Sequence, residues 1–309
     1  MSDTSAATAP IVVVTGANGL VGSRVCAALS ERGATVRAVV RRAGSAPRLP
    51  GVEERVGAFG DPAFAAAVAE GATAAVTTVH PMGSDLETQR RVGVEATATF
   101  ARAAAASGVE RLVHVSTAAV YDRSPGVGDV DESAALVTDD ANDYAVTKRD
   151  TDAELAAVAG PTRVLVRPPA ILGSGDSSVW NTLRPAAIRD DESARRVAPD
   201  QTFSWVHVDD LAAFVADVAA GRVPAGTDPE AGPVTGGCTA VNLAAAPGTA
   251  RDYYGTVTGA LGVTPVWDDG PAWTGRIRAD RARGWGWQPT VDLSTALAEI
   301  ADGLRAHHS

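Results

Sequence analysis

The chain has 309 residues, 45% of them hydrophobic and 21% charged, with two cysteines and a formal net charge of -10. That length supports one large or two small domains around a real core, and the composition is that of an ordinary soluble globular protein. The acidic balance argues against broad nucleic-acid binding, the cysteine pair forms no disulfide framework, and no apolar run is long enough to span a bilayer.

Met1 to Pro10 are small and polar, without the basic-then-apolar order of a secretory signal, and read as a disordered lead-in to a cytoplasmic protein. Ile11 to Thr15 is a short β-branched run, expected as a buried strand. The glycines from Gly16 to Gly22 turn the chain into a helix that runs through Ser30. Strands are expected at Thr35 to Val40 and Val52 to Val56. Asp61 caps a helix to Glu70, with Pro62 at its first position. Ala74 to Val79 is the fourth strand. An Ala-rich helix covers Leu86 to Ser107 and stops at Gly108. Arg111 to Ser116 is the fifth strand, Asp143 to Ala159 a helix, and Arg163 to Val166 a sixth strand ended by Pro168-Pro169. Strands alternating with helices imply an α/β fold, a Rossmann-type doubly wound parallel sheet covered on both faces.

Beyond Ile171 the pattern loosens. A helix is expected near Val179 to Ile188, a strand at Phe203 to Val208 and a helix at Asp209 to Ala220. A strand follows at Val241 to Leu243, then helices at Ala250 to Leu261 and Leu293 to Arg305. The reading gives a dinucleotide-binding domain over residues 1–172, to which 203–222 and 240–244 return. Residues 173–309 form a smaller, discontinuous substrate-binding lobe.

A glycine turn between a strand and a helix makes an anion site. Gly16 permits the tight turn, Gly19 lets the backbone approach a pyrophosphate, and Gly22 lets helix and strand pack closely. The same turn places Asn18, Leu20 and Val21 against the cofactor. An acid at the end of the second strand would bond the ribose 2′-hydroxyl of NAD. This chain has Arg41 and Arg42 there, and guanidinium suits a 2′-phosphate. NADP(H) is therefore the expected cofactor, with NAD as the alternative. The bland reading of the two arginines is a solvated surface.

Tyr144 and Lys148 lie four residues apart in Tyr144-Ala145-Val146-Thr147-Lys148, so both project from one helical face. A nearby ammonium favours a phenolate and is expected to lower the Tyr144 pKa from its ordinary value of about 10.

With these residues in place, the chain resembles an extended short-chain dehydrogenase/reductase of the NAD-dependent epimerase/dehydratase family. Thr15 to Gly22 is similar to the cofactor turn, and Val113 to Tyr121 to the fifth strand with its catalytic Ser/Thr. Tyr144 to Lys148 is similar to the Tyr-x-x-x-Lys motif. Arg167 to Gly173 is similar to the segment over the nicotinamide, Trp205 to Ala212 to a late motif, and Gly286-Trp287-Gln288-Pro289 to a C-terminal one. The resemblance implies Tyr144 as general acid/base, Lys148 as the residue holding the nicotinamide ribose, and Thr117 as the hydroxyl on the reacting oxygen. It also implies Ser116 as a neighbour to Thr117 and Pro168 as a cofactor contact. Tyr121, His207 and Asp209 are read as structural. A homodimer is implied through helices that include the one carrying Tyr144.

The chain departs from the family pattern where Gly57 is followed by Ala58 rather than Asp. It departs again at His80-Pro81-Met82, where small residues are usual, so His80 is a candidate for the site as well as for a packing role. Ala118 and Ala119 replace the acidic pair of the 4,6-dehydratases, which argues against water elimination. The leading expectation is an NADP(H)-dependent ketoreductase or alcohol dehydrogenase acting on a small-molecule secondary alcohol/ketone pair. The alternative is a sugar-nucleotide epimerase with tightly bound NAD, for which Arg184, Arg276 and Arg278 would supply cations. A cofactor-sensing regulator ranks below both, because Tyr144 and Lys148 are kept. Trp180, Trp267 and Trp273 are candidates for an apolar pocket, and no metal-ligand spacing is present.

Overall fold

The computed structural model describes residues 9–175 and 179–306. Most of the expected N-terminal lead-in lies outside the described residues, as do three positions of the Gly173 to Asp200 stretch.

Seven parallel strands form the central sheet: β1 (Ile11–Thr15), β2 (Thr35–Val40), β3 (Val52–Val56), β4 (Ala74–Thr77), β5 (Arg111–Val115), β6 (Thr162–Arg167) and β7 (Cys238–Asn242). Their spatial order is β7-β6-β5-β4-β1-β2-β3. Val12, Val13 and Val14 are fully buried, as a strand covered on both faces requires. Thr15, the last residue of β1, pairs with Val39 on one side and Thr77 on the other. The strand order reverses at β1, and this switch point opens a crevice beyond the carboxyl ends of the strands.

Helices cover both faces: α1 (Leu20–Glu31), α2 (Pro62–Ala69), α3 (residues 86–106), α4 (Asp143–Ala156) and α5 (Val208–Ala219). α5 packs along α1, while α2 packs against the second half of α3. Each face has its own apolar core, one around Val25, Leu29, Leu211 and Val215, the other around Val68, Phe100, Leu112 and Leu155. A third core holds Ile188, Phe203, Trp205, Tyr253 and Ile300 beneath α6 (Ala250–Leu261) and α7 (Leu293–Ala306). Among the described residues no helix is long and apolar enough to cross a membrane.

The structure differs from the sequence expectation in four places, one of them the helix expected near Val179 to Ile188, which is π-helical over Val179–Leu183 and α-helical over Arg184–Asp190. α3 is not uniformly α-helical: Gln89–Glu95 is a π-helical turn between Leu86–Thr88 and Ala96–Ala106. β4 ends at Thr77, where the Thr78 hydroxyl donates to the carbonyl of Thr15. The strand expected at Phe203 to Val208 is divided. Thr202–Phe203 pairs antiparallel with Gly248–Thr249, whereas Trp205–His207 pairs parallel with Ala170–Leu172. Neither piece joins the central sheet, and both Phe203 and Trp205 pack into the third core.

Candidate active site

The first loop is built by glycine. Gly16 has φ +70°, and a Cβ there would lie 2.6 Å from Thr78 Oγ1. A Cβ on Gly22 would lie 2.1 Å from the carbonyl oxygen of Gly16, so only glycine lets α1 start against β1. Gly19 is the N-cap of α1 and offers no side-chain cap. The amides of the first turn therefore point outward without an acceptor, which makes a cradle for an anion. This arrangement fits the pyrophosphate of a dinucleotide.

From the cradle a crevice of about 550 Å³ runs along the switch point. Gly16, Asn18, Gly19, Leu20, Val21, Gly22, Arg41, Tyr144 and Lys148 line it, as the sequence led one to expect. His80 also lines it, together with Phe59, Thr78, Met82, Val92 and Trp180. Three expected residues do not. Arg42 is exposed beyond the crevice, and its carbonyl accepts the Ser45 hydroxyl at 2.6 Å. Pro168 is buried, its carbonyl accepting from the Ala118 amide at 2.8 Å, and its neighbour Pro169 faces the crevice instead. Thr117 is buried behind the lining. Glu54 on β3 is occupied by the amides of Gly44 and Ala46, so it does not pair with Arg41.

Thr117 is the last extended residue before a 3-10 turn, Ala118–Val120, and accepts from the Ala119 amide at 3.1 Å. Its side chain lies close enough to Tyr144 to affect that group's titration. Tyr144 stands in the first turn of α4, capped by Asn142, whose side chain accepts from the Ala145 amide. Burial pushes the Tyr144 hydroxyl above the ordinary phenol range; the Thr117 hydrogen bond opposes this and the Asp152 charge adds to it. The expectation that Lys148 lowers this pKa is thus not met. The Lys148 ammonium donates 2.8 Å to the carbonyl of Val115 and lies 3.2 Å from Nε2 of His114. Burial lowers the Lys148 pKa to about 8, against the pull of Asp152.

Two residues behind Lys148 escaped the sequence reading. His114 is fully enclosed between Thr77 Oγ1, at 2.8 Å from Nδ1, and Lys148. Burial and then the lysine charge hold it well below the usual imidazole range, hence neutral. Asp152, one turn beyond Lys148, forms a buried ion pair with Arg167 at 3.0 Å. Ser116 lines the crevice, and its buried hydroxyl has no hydrogen-bond partner among the described residues. Asp152 was legible as a third residue at the same helical spacing. His114 was not, since nothing in a strand sequence says which partner a buried imidazole will meet.

His80 packs edge-on against Tyr144, with ring centroids 5.0 Å apart at 82°. Its Nε2 is 3.3 Å from Gln89 Oε1, and the Gln89 amide donates to the carbonyl of Ser84 at 2.8 Å. Burial first, then the Lys148 charge, lower the His80 pKa to about 4. The π turn supplies both Gln89 and Gly93; a Cβ on Gly93 would sit 3.0 Å from His80 Nδ1. His207 and Asp209 are structural: His207 Nδ1 accepts from the Asp209 amide at the start of α5, and Nε2 faces Glu299 at 3.3 Å. The Tyr121 hydroxyl bonds Asn242 and Arg167 in the core. Trp267 stacks under Arg251, away from the crevice lining.

The sequence profile of the NAD-dependent epimerase/dehydratase family matches residues 12–228. A farnesyl-dihydroquinoline-oxide ketoreductase of Stigmatella aurantiaca is 33% identical over 181 residues, 53% of this chain and 51% of that protein. A ceramide reductase of Caulobacter vibrioides is 31% identical over 211 residues, 66% of this chain and 59% of that protein. The chain thus spans little more than half the length of these curated relatives. Among solved structures, the Bordetella bronchiseptica enzyme WbmG in complex with NAD superposes with a TM-score of 0.74 at 16% identity, covering 98% of this chain and 96% of that one. That likeness speaks to the fold. The profile match covers well over half of the sequence and includes the glycine cradle and the Tyr144–Lys148 helix, and on it the chain belongs to the NAD-dependent epimerase/dehydratase family.

Proposed function

We propose that the chain is an NADP(H)-dependent reductase of an apolar ketone, with Tyr144 as proton donor. One observation carries this reading: Tyr144 and Lys148 line the same crevice as the glycine cradle and Arg41, with Thr117 buried behind the lining beside Tyr144. When bound, the cofactor would supply the hydride. The chain's own residues do the rest. Thr117 and Tyr144 orient the ketone oxygen, and Tyr144 delivers the proton as negative charge develops there. Lys148 spends two donors on Val115 and His114 and keeps a third for the ribose. Arg41 supports NADP(H) over NAD(H), since no acid competes for it at the end of β2.

The apolar substrate class rests on the lining. Arg41 and Lys148 are its only ionised side chains among the described residues, and both belong to the cofactor. Pro81, Met82, Ile171, Val179 and Trp180 make the remaining wall. The two curated relatives act, by name, on a farnesylated quinoline oxide and a ceramide, both largely apolar. The epimerase reading rests on Arg184, which lies 5.6 Å from the Trp180 ring. Arg278 is already paired with Asp280.

The test is consumption of NADPH, and separately NADH, with a panel of apolar ketones. Turnover with NADPH that drops by roughly 10²–10⁴ in Tyr144→Phe, with cofactor binding kept, is the expected result. Interconversion of a nucleotide sugar with no net change in cofactor would replace this reading by the epimerase.

A further inference from the structure

The loop that follows Thr117 carries an arginine for which the described residues provide no counter-charge. Arg123 is partly buried, and its Nε is sealed from solvent with no acceptor on the protein. Its one contact of note is the ring of Trp273, whose centroid lies 5.6 Å from Cζ. Four acids stand within nine residues of it in sequence, and each is engaged elsewhere. Asp122 accepts from the amide and hydroxyl of Ser124, and Asp131 does the same for Ser133. Asp129 accepts from the Arg276 amide, and Glu132 from the Asn242 amide. The other enclosed arginines are satisfied: Arg167 has Asp152, Arg281 has Glu230, and Arg163, which has no acid, donates to the carbonyls of Ala156, Val158, Gly236 and Gly237. A guanidinium taken from water without a partner is costly, and burial alone holds the Arg123 pKa below its usual value.

The place is built rather than loose. Val130 exchanges backbone hydrogen bonds of 2.8 Å with Arg276 and Arg278, and Trp273 Nε1 donates to Gly128 at 3.1 Å. Two connections lead from it to the crevice. Arg123 follows Thr117 by six residues, through the 3-10 turn. The Trp273 carbonyl accepts from the Thr202 amide, and the adjoining Phe203 packs edge-on against Trp180 in the crevice wall.

We propose that Arg123, over the ring of Trp273, is an anion subsite that receives a carboxylate or phosphate group of the substrate, remote from the carbonyl that is reduced. This deepens the reductase reading and rests on it. The substrate class becomes an amphiphilic keto acid or keto phosphate, its apolar body along the crevice wall and its acid at the guanidinium fork.

The experiment compares long-chain keto acids with their methyl esters as substrates for NADPH oxidation, and titrates decanoate, decyl phosphate and decanol by tryptophan fluorescence. The wild type should prefer acid over ester by about tenfold or more in kcat/KM, the factor for a charge-assisted hydrogen bond. Arg123→Met should bring that ratio to about one, and Arg123→Lys should restore part of it. Decanoate and decyl phosphate should bind in preference to decanol, and Arg123→Met should abolish the preference. An NADPH titration establishes that each variant is folded. Turnover of esters and acids alike by the wild type, or an acid preference that survives Arg123→Met, overturns the subsite and leaves the reductase standing. No oxidation with any ketone removes the reductase reading, and the titration then decides the anion site by itself.

Discussion

Tyr144 and Lys148 are both moved from their ordinary pKa values by burial, in opposite senses. The phenol is pushed up and the ammonium down to about 8. The spacing that makes them neighbours on α4 was legible in the sequence, but the expected effect of one on the other was not realised. The ammonium turns to Val115 and His114, and the buried carboxylate of Asp152 acts on Tyr144 in the opposite sense. A pH dependence follows. Lys148 carries its charge below about pH 8 and loses it above, so binding that relies on the ammonium weakens as pH rises through about 8. NADPH affinity measured from pH 6.5 to 9.5 should fall across that point, whereas Lys148→Met should bind more weakly and show no such step. A wild-type profile that stays flat to pH 9.5 would remove the ammonium from cofactor binding.

The glycine turn and the π turn stand at opposite ends of what a sequence discloses. Gly16, Gly19 and Gly22 sit between a β-branched run and a helical pattern, and each has one steric reason to lack a side chain. Gly22→Ala would force a methyl group to 2.1 Å from the Gly16 carbonyl, against backbone that has nowhere to go. We expect a loss of roughly 1–3 kcal/mol in urea denaturation and a loss of measurable NADPH binding. Wild-type affinity in that variant would show that the cradle is not where the pyrophosphate lies. The Gln89–Glu95 turn gives no such signal. Its residues suit an α-helix as well as a π turn, and the wider turn is settled by what the Gln89 side chain reaches. Its oxygen lies 3.3 Å from His80 Nε2 and 3.1 Å from the Thr147 hydroxyl. Those partners come from the segment after β4, nine residues earlier, and from α4, 58 residues later.

At the scale of the molecule, enclosing neutral imidazoles ties stability to pH. His80 titrates at about 4 in the folded chain and at about 6.5 when unfolded, while burial also holds His114 well below the usual imidazole range. Between those two values the unfolded state binds the extra proton, so the stability contributed by His80 is present above about 6.5 and is lost as pH falls toward about 4. The groups facing His80 are Tyr144, Lys148, the neutral Gln89 and the buried His114. Of these, Lys148 stays charged throughout this window, so the loss belongs to the imidazoles. The His80 share is roughly 3 kcal/mol at most. Urea denaturation at pH 7 and pH 4.5 should show the wild type losing more stability than His80→Phe, which keeps the ring against Tyr144 and removes the proton site. Equal losses in the two proteins would place the acid sensitivity elsewhere.

The sequence by itself determined the parallel sheet, the nucleotide crevice and most of its lining, because these depend on local rules. A buried strand needs a β-branched run, a phosphate turn needs glycines at set intervals, and two residues four apart share a helical face. Tertiary structure alone decided which of two adjacent residues faces the crevice, Arg41 over Arg42 and Pro169 over Pro168. It also decided that Lys148 would answer to His114, that one expected strand near Phe203 would divide between two sheets, and that Arg123 would be enclosed without an acid. Each of those outcomes depends on groups far apart in the chain arriving at the same point. The free energy of burying a charge or an imidazole is set by that arrival and not by the order of residues.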